Sequence, residues 1–257
     1  IALDKKNICL LFGVTGSGKT LLYIKQLEKV IRENSQALYL LPEITLTTQI
    51  IKKLRKSFGG HIAIYHSKFN NRERIEIWEK VRKGTVNIVV GARSALFLPF
   101  KNLKLVIIDE EQDSSFKQQD PAPRYNARDA AIYYASLFDA KVILGSATPS
   151  IESFYNSMSG KFGLVKIYER FGEALLPKID IIDLKTVANY RKGKIMLSPQ
   201  LVAAIEETIK ANKQVILFQN RRGYSPLMIC GTCGYIPRCV HCDVSLTLHK
   251  SSNKLHC

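Results

Sequence analysis

No stretch of the 257 residues approaches the roughly 20 consecutive apolar positions of a membrane-spanning helix. No charged and apolar leader with a small-residue cleavage site opens the chain either. Internal repeats and low-complexity tracts are missing, which excludes solenoid and fibrous architectures. Acidic residues are in deficit, with 22 Asp and Glu against 38 Lys and Arg, leaving a net charge of +16. The excess is spread along the chain: residues 1–150 hold 23 basic and 14 acidic side chains, so a basic tail is excluded. Such a body can lie against a polyanion, although a merely basic soluble protein would carry the same balance. Cysteine is nearly absent from the first 229 residues, where Cys9 stands alone in an apolar run and reads as a small core residue. There is no initiator Met at Ile1, and Cys257 is an equally abrupt end, so the sequence reads as a fragment cut at both ends.

What is present is an ordinary globular composition, 46% hydrophobic and 23% charged, and one dense motif. Gly13 to Thr20 reads GVTGSGKT and fits G-x-x-x-x-G-K-[ST] at every fixed position. It follows the apolar run Ile8–Phe12 and precedes a helical pattern at Leu21, Leu22, Ile24, Leu27, Val30 and Ile31. That context separates a phosphate cradle from a glycine turn. Gly13, Gly16 and Gly18 let the backbone of Thr15 and Ser17 wrap a triphosphate. The following helix adds its positive end. Lys19 supplies a point charge near the β- and γ-phosphates, and Thr20 a hydroxyl for Mg²⁺. ATP and Mg²⁺ are therefore the expected ligands.

Short apolar runs alternate with helical segments over the first 150 residues. Strands are expected at Ile8–Phe12, Ala37–Leu41, Ile62–Tyr65, Asn87–Val90, Leu105–Ile108 and Val142–Leu144. Helices are expected at Lys19–Glu33, Thr45–Ser57, Asn71–Arg82, Asn126–Leu137 and Ile151–Ser157. Fully apolar strands in βα alternation predict an α/β fold with a parallel sheet covered on both faces, whose ligands sit beyond the carboxyl ends of the strands. Later strands are expected at Leu164–Tyr168, Lys178–Ile182 and Gln214–Phe218, the last of them buried. A helix should open at Ser198 as N-cap with Pro199 at its first position. The division is placed at residues 1–165, 166–225 and 226–257. Trp78, on an amphipathic helix, reads most simply as core, and His61 and His66 as surface or turn residues.

Val106–Ile108 leads into Asp109-Glu110-Glu111-Gln112. An acid at a strand's end can hold Mg²⁺ opposite Thr20, a part suited to Asp109, while Glu110 can polarise the attacking water. Adjacent acids repel one another unless a metal and Lys19 are near. Gly145-Ser146-Ala147-Thr148-Pro149 follows the next strand, and Ser146 and Thr148 can hydrogen-bond to the acidic strand end.

These three motifs in this order resemble the superfamily 2 helicases, and within them the primosomal protein N′ (PriA) replication-restart family. The resemblance rests on GVTGSGKT (13–20), LPEITLTTQ (41–49), YHS (65–67), GARSALFLPF (91–100), DEEQDSSFKQQ (109–119), RYNARD (124–129), GSATPS (145–150) and LFQNRRGYSP (217–226). RYNARD and NRRGY beside paired CxxC are its most specific parts. It implies a RecA-like ATPase domain, the start of a second one and part of a zinc-binding insertion. It implies ATP-driven 3′→5′ unwinding of forked or single-stranded DNA, replication restart with single-stranded-DNA-binding and other primosome proteins as partners, and a cytoplasmic setting. The alternatives are another nucleic-acid translocase of the superfamily, or an ATP-switched zinc-bearing scaffold. The chain departs from the family at Gln112, where His is usual and which cannot titrate, and at Thr45 and Thr48, where Gly and Pro are usual. Family members continue past Cys257 with arginines that reach the γ-phosphate, so this chain is expected to hydrolyse ATP weakly or not at all.

The basic residues and rings that follow the acidic box suit unpaired nucleic acid. Phe116, Arg124, Tyr125 and Arg128 can stack on bases and contact phosphates, or the two rings can simply pack on the sheet. By resemblance this is an aromatic-rich loop that links DNA occupancy to hydrolysis. Arg93 and Ser94 are further candidates for phosphate contact, as are Thr47 and Ser67, which can equally be a cap or a turn. Asn220 to Gly223 could face DNA or nucleotide. Cys230-x-x-Cys233 and Cys239-x-x-Cys242 are two knuckles of the kind that bind Zn²⁺, read most simply as one four-cysteine site. The resemblance implies instead two interleaved zinc sites, in which Cys239 and Cys242 pair with a CxxC beginning at Cys257; His249 is the nearest substitute ligand, ahead of His241 and His256.

Overall fold

The computed structural model describes residues 2–42, 48–65, 69–120, 122–170, 177–184, 197–218, 228–230, 232–239, 245–249 and 252–256. The chain forms two compact units, residues 1–176 and 177–257. Thr45, Thr47, His66, Ser67, Asn220 to Gly223, His241, Cys242 and Cys257 lie outside the described residues.

The first unit is a seven-stranded sheet. Its strands are β1 (Ile8–Gly13), β2 (Gln36–Leu40), β3 (Ile62–Tyr65), β4 (Ile88–Gly91), β5 (Leu103–Asp109), β6 (Lys141–Ser146) and β7 (Gly163–Ile167). They lie in the order β3-β4-β2-β5-β6-β1-β7, every neighbouring pair parallel. The helices are α1 (Ala2–Lys5), α2 (Lys19–Arg32), α3 (Thr48–Phe58), α4 (Asn71–Lys83), α5 (Ala127–Ser136) and α6 (Ile151–Met158). Alternate strand residues serve opposite faces, as the two-residue period of a strand requires. Leu38, Leu40, Val106, Ile108, Val142 and Leu144 pack with Val81 of α4 and the Ala127, Ala131, Ala135 stripe of α5. Tyr39, Val90, Ile107 and Ile143 pack with Ile24, Leu27 and Val30 of α2 and Leu54 and Phe58 of α3. This is the double cover that fully apolar parallel strands demand.

The helix starts follow their local chemistry. Asn70 and Glu73 form a reciprocal capping box at α4, which ends at Gly84 in the left-handed region. Asn126 caps α5 and Ser150 caps α6 through their side chains. In α2 the buried residues are Tyr23, Ile24, Leu27 and Val30, whereas Leu21 and Leu22 are exposed. Trp78 corrects the sequence expectation: Val81 is the buried residue of α4, and Trp78 lies 41% exposed with the Arg82 guanidinium 5.7 Å from its ring. His61 is exposed, as expected, and pairs a ring nitrogen with Asn87 Oδ1 at 2.9 Å.

In the second unit, Ser198 caps α7 (Pro199–Lys210) by accepting from the Leu201 N–H, with Pro199 in the first turn. A short antiparallel hairpin joins β8 (Thr247–His249) to β9 (Lys254–His256). Two expected strands are absent. Lys178–Ile182 and Gln214–Phe218 have no ladder, and Ile216 and Phe218 are 92% and 86% exposed. A strand exists only beside another strand, and among the described residues nothing pairs with either run. Their apolar composition signalled burial without supplying a neighbour.

One buried polar residue ties the sheet to the loops at its amino-terminal edge. Gln36, 3% exposed, donates from Nε2 to the carbonyls of Val81 and Val86 at 3.0 and 3.2 Å, and accepts at Oε1 from the N–H groups of Lys101 and Asn102 at 2.7 and 3.0 Å. Replacing it with Leu strands three backbone groups, the Val86 carbonyl and the Lys101 and Asn102 N–H groups, while the Val81 carbonyl keeps the Gly84 N–H at 3.0 Å. Gln36→Leu is expected to cost about 3 kcal/mol, lowering the melting temperature by roughly 6–12 °C in calorimetry; a shift below ~2 °C would show that these bonds are not a net support.

Candidate functional site

Strands β5, β6 and β1 are neighbours, and because they run parallel their carboxyl ends lie on one edge of the sheet. Asp109 is paired in register with Gly145, and Phe12 with Ser146. The phosphate-cradle motif, the acidic box and the Gly-Ser-Ala-Thr segment therefore share that edge.

The loop after β1 turns into α2 at Gly18, whose left-handed backbone (φ 85°) suits glycine, as does that of Gly16 (φ 80°). No side chain caps α2 and no acid sits in its first turn, so its positive end faces outward unopposed. A Cβ at Gly13 would stand 2.7 Å from Ser17 Oγ, so the cradle has room for glycine only. Lys19 Nζ donates to the Gly13 carbonyl at 2.7 Å and to that of Val14 at 3.4 Å. Ser17 Oγ is buried and makes no hydrogen bond. A buried hydroxyl without a partner, a glycine-only cradle and an uncapped helix start together fit the phosphates of a nucleotide. Thr15 and Thr20 flank them on the same loop and first helical turn.

Asp109 is 7% exposed and accepts three hydrogen bonds. Tyr23 Oη donates to Oδ1 at 3.0 Å, the Glu110 N–H to Oδ1 at 3.2 Å and Tyr39 Oη to Oδ2 at 3.3 Å. Burial pushes its carboxyl above the ordinary value, opposed by the Tyr23 hydroxyl, reinforced by the neighbouring Glu110 charge and opposed by Lys19. The same burial, with Asp109 beside them, holds both phenols neutral far above their usual range. Asp109 is thus a carboxylate kept in an apolar setting, with Lys19 near enough to favour its charged form. That is the environment in which a cation gains most from binding it.

Glu110 takes a left-handed backbone (φ 51°), a conformation that costs a non-glycine residue of order 1 kcal/mol. Its carboxylate accepts from Gln112 Nε2 at 2.9 Å; Gln112 Oε1 accepts from Ser146 Oγ at 2.6 Å; Ser146 Oγ accepts the Thr148 N–H at 2.9 Å. A chain of hydrogen bonds therefore runs from Glu110 to the Gly-Ser-Ala-Thr segment. Gln112 completes it without titrating.

Glu111 is turned the other way, its side chain fully buried. It accepts from Arg128 Nη1 at 3.0 Å, Ser150 Oγ at 3.0 Å, Ser153 Oγ at 2.9 Å and the Ser150 N–H at 2.7 Å. Arg128 also donates to Asp129 at 2.8 Å and to Ser150 Oγ at 2.7 Å. This corrects two expectations. Arg128, 9% exposed at its side chain, is committed to this network and does not face a phosphate. Phe116, 1% exposed, belongs to the core and cannot stack on a base. The exposed ring is Phe97, 65% exposed and edge-on to Tyr125 at 5.3 Å. Arg93 donates to the carbonyls of Lys117 and Ser115 at 3.1 and 3.5 Å and, with Ser94, Arg74 and Lys117, lines a groove of about 770 Å³. Arg124 is exposed.

Sequence reasoning missed Tyr23, Tyr39, Ser150, Ser153 and Phe97. The available signal was a hydroxyl-tipped ring on an otherwise apolar face of α2 and of β2, and a serine pair just beyond the Gly-Ser-Ala-Thr segment.

In the second unit the Cys230 carbonyl accepts the Gly234 N–H at 2.9 Å, Gly234 being left-handed (φ 73°). Backbone N–H groups of Cys233 and Thr232 aimed at the Cys230 thiol lower its pKa to about 7. That favours a thiolate, the form a metal binds. Cys239 is half-buried, and His249 and His256 meet edge-on at 5.2 Å across the hairpin. Among the described residues no three His, Cys, Asp or Glu side chains converge as a metal centre, and no helix is long and apolar enough to cross a membrane.

The sequence profile of the DEAD/DEAH box helicases matches residues 1–156. The replication restart protein PriA of Bacillus subtilis (strain 168) is 41% identical over 255 residues, which is 99% of this chain and 31% of that protein. The PriA of Rickettsia felis is 44% identical over 248 residues, 96% of this chain and 38% of that protein. The chain thus spans about a third of the length of the curated relatives it matches. A solved structure of RecG bound to a three-way DNA junction aligns with 65% of this chain and 21% of its own at 23% identity, with a TM-score of 0.47.

Neighbouring acids in such different settings should respond oppositely to neutralisation. Asp109→Asn keeps Oδ1 as the acceptor for Tyr23 and the Glu110 N–H, lets the Tyr39 hydroxyl accept from the new amide where it had donated, and removes a buried charge, so it is expected to raise stability by about 1 kcal/mol. Glu111→Gln leaves Arg128 short of its counter-charge and is expected to cost about 3 kcal/mol. Thermal melts of the two variants in EDTA check the opposite signs.

Proposed function

The chain belongs to the DEAD/DEAH box helicase family, and from that premise we propose that it is the ATPase core of a DNA helicase acting in replication restart. The observation that carries the proposal is the shared sheet edge, where Lys19 and the glycine cradle stand beside Asp109 and Glu110. Close similarity to PriA proteins supports the restart role, a forked or single-stranded DNA substrate, 3′→5′ movement, primosome and single-stranded-DNA-binding proteins as partners, and a cytoplasmic setting.

In this reading Gly13, Thr15, Gly16, Ser17 and Gly18 receive the phosphates, with Ser17 Oγ given the acceptor it lacks. Lys19 exchanges two backbone carbonyls for charged phosphate oxygens. Thr20 and Asp109 would hold Mg²⁺, which would supply charge neutralisation at the phosphates. Glu110 accepts a proton from the attacking water, its carboxylate oriented by Gln112. Ser146 and Thr148 connect that carboxylate to the segment after β6. Arg93, Ser94, Arg124 and Tyr125 form the DNA face, with Phe97 in the place that Phe116 and Arg128 do not fill. Phosphate contacts there set position without reading sequence.

Two variants test the ATPase reading. Lys19→Ala is expected to weaken Mg²⁺-dependent binding of a fluorescent ATP analogue at least about tenfold. Glu110→Gln should bind the analogue normally and lose roughly 10²-fold or more of the weak single-turnover hydrolysis expected of the wild type, which single-stranded DNA should raise more than RNA does. Hydrolysis that survives Glu110→Gln overturns the mechanism.

Zinc is the second part of the proposal. Cys230, Cys233, Cys239, Cys242 and Cys257 supply thiolates to Zn²⁺, and the pre-set Cys230 knuckle supports this. Elemental analysis is expected to find at least about one zinc per purified chain, reduced by roughly half or more in Cys230→Ser. A zinc-free chain that still binds ATP removes this part alone.

A further inference from the structure

Asp109 is held more completely than a Mg²⁺ ligand needs to be. A carboxylate has about four accepting positions, two on each oxygen. Oδ1 is filled by the Tyr23 hydroxyl at 3.0 Å and the Glu110 N–H at 3.2 Å. Oδ2 takes the Tyr39 hydroxyl at 3.3 Å and keeps one position open. Both tyrosines are fully buried, and their rings meet at 5.6 Å and 65°. Neither hydroxyl can swing aside without opening the core between α2 and β2. We infer that Tyr23 and Tyr39 are positioning residues for Mg²⁺: Tyr23 fixes the Asp109 carboxylate, and Tyr39 limits it to a single free site on Oδ2. The inference rests on the nucleotide-site reading above.

A second observation fits the same device. A Cβ at Gly145 would stand 1.7 Å from the Tyr23 hydroxyl, 2.9 Å from its ring carbon and 3.2 Å from Asp109 Oδ1. Gly145 is therefore the seat of the Tyr23 hydroxyl. This gives the glycine of the Gly-Ser-Ala-Thr segment a part in metal affinity that is separate from the Ser146–Gln112–Glu110 hydrogen bonds.

The two tyrosines should act in opposite directions. Without the Tyr23 hydroxyl the carboxylate is free to turn, and metal affinity falls by roughly tenfold, as when the partner that orients a ligand is lost. Without the Tyr39 hydroxyl a competing donor leaves Oδ2, and affinity rises about two- to fivefold. Tyr→Phe is nearly isosteric, so both variants keep the packing.

The test is binding of a fluorescent, non-hydrolysable ATP analogue to the 257-residue chain, followed by anisotropy as free Mg²⁺ is raised from EDTA-buffered levels. Tyr23→Phe should raise the Mg²⁺ half-saturation point about tenfold and Tyr39→Phe should lower it about two- to fivefold, with binding in EDTA unchanged in both. Gly145→Ala should raise it like Tyr23→Phe and add little to that variant, since both displace one hydroxyl. A purely structural role would move the melting temperature and leave the Mg²⁺ midpoint where it is. Equal midpoints in wild type, Tyr23→Phe and Tyr39→Phe overturn the inference, as does a rise in Tyr39→Phe. A wild-type chain that shows no Mg²⁺-dependent binding overturns the nucleotide-site reading itself, which keeps the two failures distinct.

Discussion

Three carboxylates in succession at the end of a buried strand are the constraint to which the rest of the site answers. Left together, Asp109, Glu110 and Glu111 would repel one another in a setting too dry to screen them. The fold separates them by direction. Asp109 points back into the sheet face that α2 covers, where two phenols meet it. Glu110, itself in the left-handed region, turns its carboxylate to Gln112. Glu111 passes to the opposite side, where Arg128 and the α6 serines absorb its charge. Each acid so acquires a different setting from the same residue class: one buried between phenols, one at the head of a hydrogen-bond chain to Ser146, one paired with Arg128 and the α6 serines.

Parallel strand order makes that division useful. The acids would be inert if β1 and β5 ended on opposite edges. With β6 between them and every pair parallel, the cradle after β1, the acids after β5 and the serine after β6 share one edge. Gly145 then lets three elements close to contact distance, since only a residue without a side chain leaves space for the Tyr23 hydroxyl beside Asp109.

The elements and the motif edge were legible because local signals carried them. The expected β3 matches the observed strand residue for residue, and the expected α7 cap at Ser198 with Pro199 behind it is the observed one. Asp109, Lys19 and the glycines stood out because their chemistry requires fixed spacing. What stayed hidden depended on distant pairing. Tyr23 and Asp109 are 86 positions apart, and Glu111 and Ser153 are 42 apart; no local pattern announces either contact. The same blindness produced the errors. Phe116 and Arg128 looked like a nucleic-acid surface because rings and guanidinium groups interleave there, but burial decides between stacking and packing, and burial is a property of the fold. Gln214–Phe218 looked like a core strand, yet a strand's identity resides in its neighbour as much as in itself.

The Glu111 network also ties two segments distant in sequence to the neighbour of Glu110. Arg128 belongs to α5 and lies just after the Arg124–Tyr125 segment, while Ser150 caps α6 just after the Ser146–Thr148 turn. One buried carboxylate holds both. Glu111 is the covalent neighbour of Glu110, whose turn is closed by the Asp113 N–H at 2.8 Å. Half-buried Tyr125, against which the exposed Phe97 packs, therefore leads into a helix tied at Arg128 to Glu111. The one left-handed acid of the three thus stands between segments that a single buried carboxylate ties together, and its backbone sets the aim of the Glu110 carboxylate toward Gln112.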